Sequence, residues 1–245
     1  MRVTHVHSIS VFVESFEQVK EFYTEILTLP FGASTSGLRS LYVGNTALVL
    51  LNAGTEDRRL MGRNTGITLR TRGESDFQQL THRIQESGGT LGAVRNLPSG
   101  RTVPIEDPAG NQYWLWDAPH SVDVPHLFDA PALVTIGVRN LRHALPFYHG
   151  VLELPMIEQL GEQTALFFPD STRVVIAGSP EWTPALPVTG ETGLCLSVEG
   201  LATYVDGLRH RGAEIVDEST VDGELVAAAI KDPDGNQITL LGTGD

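Results

Sequence analysis

Apolar and polar positions alternate at the start of the chain: Ile9, Val11 and Val13 against Ser8, Ser10 and Phe12, the pattern of a half-buried strand. The period then lengthens. Phe16, Val19, Phe22, Tyr23 and Ile26 fall on one helical face behind Ser15 and Gln18, which are spaced as a capping box. Short strands are expected around residues 39–44, 47–52 and 66–71, followed by a second helix carrying Phe77, Leu80 and Ile84 and stopped by Gly88-Gly89. The turn Asp107-Pro108-Ala109-Gly110 then launches a final strand from Gln112 to Trp116.

This order returns. Val13, Phe22-Tyr23, Leu27-Thr28-Leu29-Pro30 and Asp107-Pro108-Ala109-Gly110-Asn111-Gln112 match Val138, Phe147-Tyr148, Leu152-Glu153-Leu154-Pro155 and Asp232-Pro233-Asp234-Gly235-Asn236-Gln237, each pair 125 positions apart. The second copy has an opening strand at Val134, Ile136 and Val138 and a helix from Asn140 to Leu152, in which Pro146 predicts a late start or a bend. Strands follow near residues 165–168, 173–177 and 193–198, then a helix with Leu201, Tyr204, Val205 and Leu208 that ends at Gly212. Residues 118–131, with Pro119, Pro125 and Pro131 and no apolar period, read as a linker between modules 1–117 and 132–245. The fold expected is α+β: two tandem βαβββ modules forming a curved, mostly antiparallel mixed sheet around a cleft, with helices packed outside.

Composition narrows the partners. A formal charge of −13, from 17 basic and 30 acidic residues, disfavours phosphate backbones and anionic lipid, so neither nucleic acid nor membrane is expected. His5, His7 and Glu14 interrupt any secretory apolar segment, and no run of apolar residues is long enough to span a bilayer. A lone cysteine, Cys195, excludes an intramolecular disulfide and fits a reducing compartment, so a cytoplasmic location is expected.

The doubled order of strand, helix ending in Phe-Tyr-x-x-x-Leu, strands, helix ending in Gly, and Asp-Pro-x-Gly-Asn before a strand resembles the vicinal oxygen chelate superfamily of glyoxalases, bleomycin resistance proteins and ring-cleavage dioxygenases. The Gly usual after the first helix in that family is Thr28 in one copy and Glu153 in the other. The resemblance implies four strand positions per site where metal-using members place His, Glu or Gln. Here those positions fall at Ser8 and Leu133, near Val49 and Val175, near Gly66 and Gly193, and at Trp114 and Thr239, none of them His, Glu or Asp. Neither a metal nor another cofactor is therefore expected. His5 and His7, spaced i, i+2 on a strand, form a pair that can bind zinc or iron, but strand parity puts them on the face of Ile9 and Val11, away from the cleft, unless a bulge shifts the register.

Parity lines a first cleft with Ser8, Ser10, Phe12, Tyr42, Thr68, Arg70, Gln112, Trp114 and Trp116, an aromatic wall with one guanidinium that suits a flat or bulky ligand. A second cleft would hold Leu133, Thr135, Gly137, Val175, Cys195, Ser197, Gln237 and Thr239, mostly small and neutral. Cys195 has no adjacent basic residue to activate it. The leading expectation is a metal-independent binder of a bulky aromatic or polyketide-like molecule, of the resistance or sequestration type. The alternative is a metal-independent cyclase, isomerase or lyase of natural-product metabolism, with Arg70 or Tyr42 as electrophilic or acid group; a metal-dependent glyoxalase or dioxygenase ranks third. Because both modules are on one chain, a monomer is expected to fold alone, with a homodimer still open.

Overall fold

The computed structural model describes residues 1–33, 39–43, 46–53, 61–71, 73–97, 100–117, 132–168, 172–178 and 190–243, so the expected linker, 118–131, lies outside the described residues. The first copy runs β1 (Arg2–Val13), α1 (Phe16–Glu21, prolonged by a π turn over Phe22–Ile26), β2 (Phe31–Ala33), β3 (Arg39–Val43), β4 (Thr46–Asn52), β5 (Asn64–Arg70), α2 (Glu74–Glu86), β6 (Thr90–Leu91), β7 (Arg95–Leu97), β8 (Gly100–Glu106) and β9 (Gln112–Asp117). The second runs β10 (Ala132–Gly137), α3 (Leu141–Leu145, prolonged by a π turn over Pro146–Val151), β11 (Met156–Leu160), β12 (Thr164–Phe167), β13 (Arg173–Ala177), β14 (Gly190–Glu199), α4 (Leu201–His210), β15 (Glu214–Val221), β16 (Glu224–Lys231) and β17 (Asn236–Gly242). Each copy thus contains the strand, helix, strands order twice. Among the described residues no helix is long and apolar enough to cross a membrane.

By contacts the chain forms two compact units: unit one is Ser10–Leu133, and unit two is Met1–Ile9 with Val134–Asp245. The boundary cuts β1, whose opening residues pair antiparallel with β14 from Arg2↔Glu199 to Ile9↔Leu194. In unit one, β2, β3 and β4 form an antiparallel meander in the sheet that also holds β1, while β5, β9, β8 and β6 form a second sheet, with β7 on β8. In unit two, β15-β16-β17-β14 continues into the opening residues of β1, and β11, β12, β13 and β10 are successive neighbours in a separate run of strands. The pairs β5–β9 and β14–β17 are parallel, whereas the hairpins are antiparallel.

The alternation in β1 holds: Ile9, Val11 and Val13 are buried, and Ser10 and Phe12 are half-buried. β2, β6, β7, β8, β11, β15 and β16 were not anticipated, and two of them show why. β15 is mostly exposed, so neither of its faces demands apolar residues. β8 carries Pro104, which falls between the residues paired with β6 and those paired with β7, where a missing N–H is tolerated. Ser15 does occupy the N-cap of α1, but its side chain makes no capping bond; Asn140 caps α3 by accepting from the Arg142 N–H.

Both first helices end alike. Leu27 N–H donates to the Phe22 carbonyl and Leu152 N–H to the Phe147 carbonyl, one residue wider than an α turn. The turn forms in copy one without a proline, so Pro146 is accommodated by the π turn and does not cause it. Next come Thr28 and Glu153, both at φ +54°, in the left-handed region where helix C-termini favour glycine.

A buried polar lock closes each copy. Tyr23 OH donates to Asp107 Oδ2 at 2.6 Å, Asp107 Oδ1 accepts from the N–H of Ala109 and Asn111, and Asn111 Nδ2 donates to the Phe12 carbonyl at 2.9 Å. Tyr148, Asp232, Asn236 and the Gly137 carbonyl repeat this at 2.8 Å and 2.9 Å. Copy one adds Tyr113, whose hydroxyl lies 2.5 Å from that of Tyr23. Burial pushes the Asp107 carboxyl above its usual range despite these donors, and drives the Tyr23 and Tyr148 hydroxyls well above theirs.

Glu153 is exposed, so its side chain contributes little against the left-handed strain of roughly 1–2 kcal/mol, part of which glycine's extra chain entropy offsets. Glu153→Gly should therefore stabilise the protein by about 0.5–1 kcal/mol, read as a raised urea midpoint with unchanged slope. A lowered midpoint would contradict this reading of the turn.

Candidate functional site on the strand faces

In unit one, Thr68 pairs with Trp114 and Arg70 with Trp116 across β5 and β9, which places these side chains and Gln112 along one strand face. Trp114 is half-buried, flanked by Pro104 on β8, and the Arg95 guanidinium stands 5.5 Å from its ring centre. Trp116, expected as part of the cleft wall, is only 5% exposed and belongs to the core. Gln112 is engaged with Glu106 at 2.9 Å.

The expected first cleft is divided. Ser10, Phe12 and Tyr42 belong to the sheet of β1 and β3, whereas Thr68, Arg70, Gln112, Trp114 and Trp116 belong to that of β5 and β9. The second set divides in the same way: Leu133, Thr135, Gly137 and Val175 lie on β10 and β13, and Cys195, Ser197, Gln237 and Thr239 on β14 and β17. Parity assigns a residue to a face but not to a sheet, and the two halves of a copy supply different sheets. Tyr42 and Arg70 nevertheless meet at a pocket of about 580 Å³ between the Leu27–Pro30 turn, the ends of β3 and β5, and α2.

In unit two, Ser8, Cys195, Thr239 and Ala229 stand side by side on β1, β14, β17 and β16. Thr135 and Gln237 are half-buried. Burial pushes the Cys195 thiol up to about 11, the nearby Ser8 hydroxyl opposing the shift, so the sulfur is a protonated thiol at neutral pH and no nucleophile.

The histidines lie elsewhere than parity placed them. Irregularities between Val3 and His5 and between Val6 and Ser8 shift the register, so that His5 pairs with Ser197, on the face of Cys195 and Ser8. Ser197 Oγ sits 3.2 Å from His5 Nε2 and 3.1 Å from His7 Nδ1, while Thr4 Oγ1 lies 3.0 Å from His5 Nδ1 and donates to the Ser197 carbonyl. With the Thr4 proton so used, His5 Nδ1–H must donate to Thr4; His5 Nε2 then accepts from Ser197, and Ser197 accepts from His7 Nδ1–H. Burial lowers the His7 pKa, and the neighbouring His5 lowers it further.

A family model described as Glyoxalase/Bleomycin resistance protein/Dioxygenase superfamily matches residues 5–115 and again 130–240, which together make up most of the chain. The chain belongs to that superfamily. No curated protein matches it. Among solved structures, glyoxalase I from Zea mays aligns with a TM-score of 0.68 at 14% identity, over 97% of this chain and 92% of its own. A putative dioxygenase from Bacillus subtilis aligns at 0.62 and 9% identity, over 100% and 86%. TnmS3, an antibiotic binding protein from Streptomyces sp. CB03234, is 29% identical over 49% of this chain and 99% of its own, with a TM-score of 0.40.

The residues at the expected metal positions do not fit a divalent ion. Val49 and Val175 are buried apolar side chains, and Gly66 and Gly193 sit at φ +73° and +72° beside register shifts in β5 and β14, where a His or Glu would be strained. Ser8, Trp114, Leu133 and Thr239 add no carboxylate or imidazole. Among the described residues no group of three or more His, Cys, Asp or Glu side chains is placed to hold a metal.

Because the folded state keeps His7 neutral below its unfolded pKa of about 6.5, it binds fewer protons than the unfolded state there, and stability falls as the pH drops from about 6.5 through the folded pKa. His7→Asn should reduce the loss of urea midpoint between pH 8 and pH 5. An undiminished loss would remove His7 from the network's pH response.

Proposed function

We propose that this chain binds a bulky aromatic or polyketide-like small molecule on its strand faces without a divalent ion, in a cytoplasmic sequestration or resistance role. The observation that carries this reading is Trp114. The resemblance implies a metal ligand at this position in metal-using members, and here it is a half-buried indole with Thr68 on one neighbouring strand and Pro104 on the other. An indole face offers area and stacking to a flat molecule, and Arg95 above the ring adds a cation that can follow a bound π system.

A second reading, a metal-independent tailoring enzyme, is favoured by the common pocket of Tyr42 and Arg70. Acid–base chemistry there would also need a base within reach of the substrate, and the carboxylate lining that pocket, Asp76, is exposed. Binding is therefore the better-supported function.

A planar anthraquinone should quench part of the tryptophan emission on titration, and Trp114→Ala should weaken its binding by roughly 1–3 kcal/mol through lost area and stacking. The same change should cost less stability than the roughly 3–5 kcal/mol typical of a core Trp→Ala. Large destabilisation with unchanged affinity would place Trp114 in the core and end this reading.

A further inference from the structure

Arg70 ends β5 and Arg83 lies toward the end of α2. Among the described residues neither guanidinium has an ion pair or hydrogen bond, and the Nε of each is buried without a partner. In a chain with 30 carboxylates against 17 Lys and Arg, two cations left unpaired at one place need a physical reason. A buried polar group without a partner is costly, and more so when charged.

Both arginines line the same pocket of about 580 Å³, within the roughly 300–1,000 Å³ of small-molecule sites. α2 presents to it Asp76, Gln79, Leu80 and Arg83, spaced i, i+3, i+4 and i+7 and so on one helical face. Asp76 is exposed at its rim and bonds to neither arginine. The remaining wall mixes Leu27, Leu29, Pro30, Val43, Leu69 and Leu115 with Thr28, Tyr42 and Thr71. All of these residues belong to unit one.

The second copy serves as an internal control. Counted from the glycines that precede the helices, Gly73 and Gly200, Phe77 corresponds to Tyr204 and Arg83 to His210; Leu27 matches Leu152, and the strand pairing and the bonds to the Pro30 and Pro155 carbonyls equate Leu41 and Tyr42 with Phe167 and Phe168. In unit two this corner is closed. Tyr204 OH donates to the Leu152 carbonyl at 2.6 Å, Arg211 Nε donates to the Val151 carbonyl at 3.0 Å, and Phe167 and Phe168 are buried. The same frame carries aromatic filling in one copy and two arginines around a pocket in the other.

We propose that the pocket between α2 and the Leu27–Pro30 turn binds an organic carboxylate, its apolar body against the leucine wall and its two oxygens held by Arg70 and Arg83. Guanidinium forks match a planar carboxylate, and each charge-assisted bond formed away from water is strong. Arg70 shares a strand face with Trp114, but Trp114 does not line this pocket, and the site does not depend on the function proposed for that indole.

The test uses 2-naphthoate as probe, followed by amide chemical shifts of the full chain, with 2-naphthylmethanol and inorganic phosphate as comparison arms. Naphthoate should shift amides of the Leu27–Pro30 turn and α2 saturably, and Arg70→Gln or Arg83→Gln should each weaken it at least tenfold, whereas Trp114→Ala should leave it unchanged. Should a glutamine variant fail to fold, Arg83→Lys keeps the charge without the fork and should weaken binding several-fold. Val43→Phe, which enlarges a side chain of the pocket wall, should abolish binding. The proposal is overturned if naphthoate does not bind, if its binding is indifferent to both arginines and to Val43→Phe, or if the neutral alcohol or inorganic phosphate binds as tightly.

Discussion

The buried aspartate in each closing turn is the constraint on which the rest of each copy depends. A carboxylate taken out of water is costly unless its oxygens are met by donors, and Asp107 and Asp232 are each met by a tyrosine hydroxyl, two backbone N–H groups and an asparagine amide. Those donors come from different parts of the copy. The tyrosine fixes the π turn of the first helix, the backbone groups fix the tight turn before the last strand, and the asparagine reaches back to the end of the first strand. One carboxylate thus ties together elements 84 positions apart in sequence.

None of these groups lies on the strand faces where a ligand would sit. Tyr23, Asp107 and Asn111 are buried between helix and turn, while Thr68 and Trp114 project from the middle of their strands. Because the fold is held at the turns, the face positions can change character without loosening it. The proposed metal independence rests on this separation: valine, left-handed glycine and an indole stand at the positions where the family resemblance implies ligands in metal-using members, while the locks remain intact. The two copies also differ from one another at the corner beside the second helix, where one is filled by Phe167, Phe168 and Tyr204 and the other is lined by Arg70 and Arg83.

The alternation of Ile9, Val11 and Val13 and the 125-residue offset were enough to read the α+β class and the duplication, because burial of one face leaves a periodic trace. The placement of His5 and His7 was not legible, since a bulge inserts a residue without a compositional mark and reverses parity from that point. The Tyr–Asp bond was not legible: Tyr23 fell on the buried helical face and Asp107 in a turn, and their equal spacing in the second copy follows from the 125-residue offset alone. The division of the expected cleft between two sheets could not be read at all, because pairing between distant strands is decided by tertiary packing.

The central claim is that a superfamily fold stands on its turn locks and works without a divalent ion. The most direct measurement is elemental analysis of the dialysed protein together with its melting temperature with and without EDTA. The account predicts no stoichiometric zinc, nickel, manganese or iron and an unchanged melting temperature. An equimolar metal that survives dialysis, or a melting temperature that falls on chelation, would contradict it.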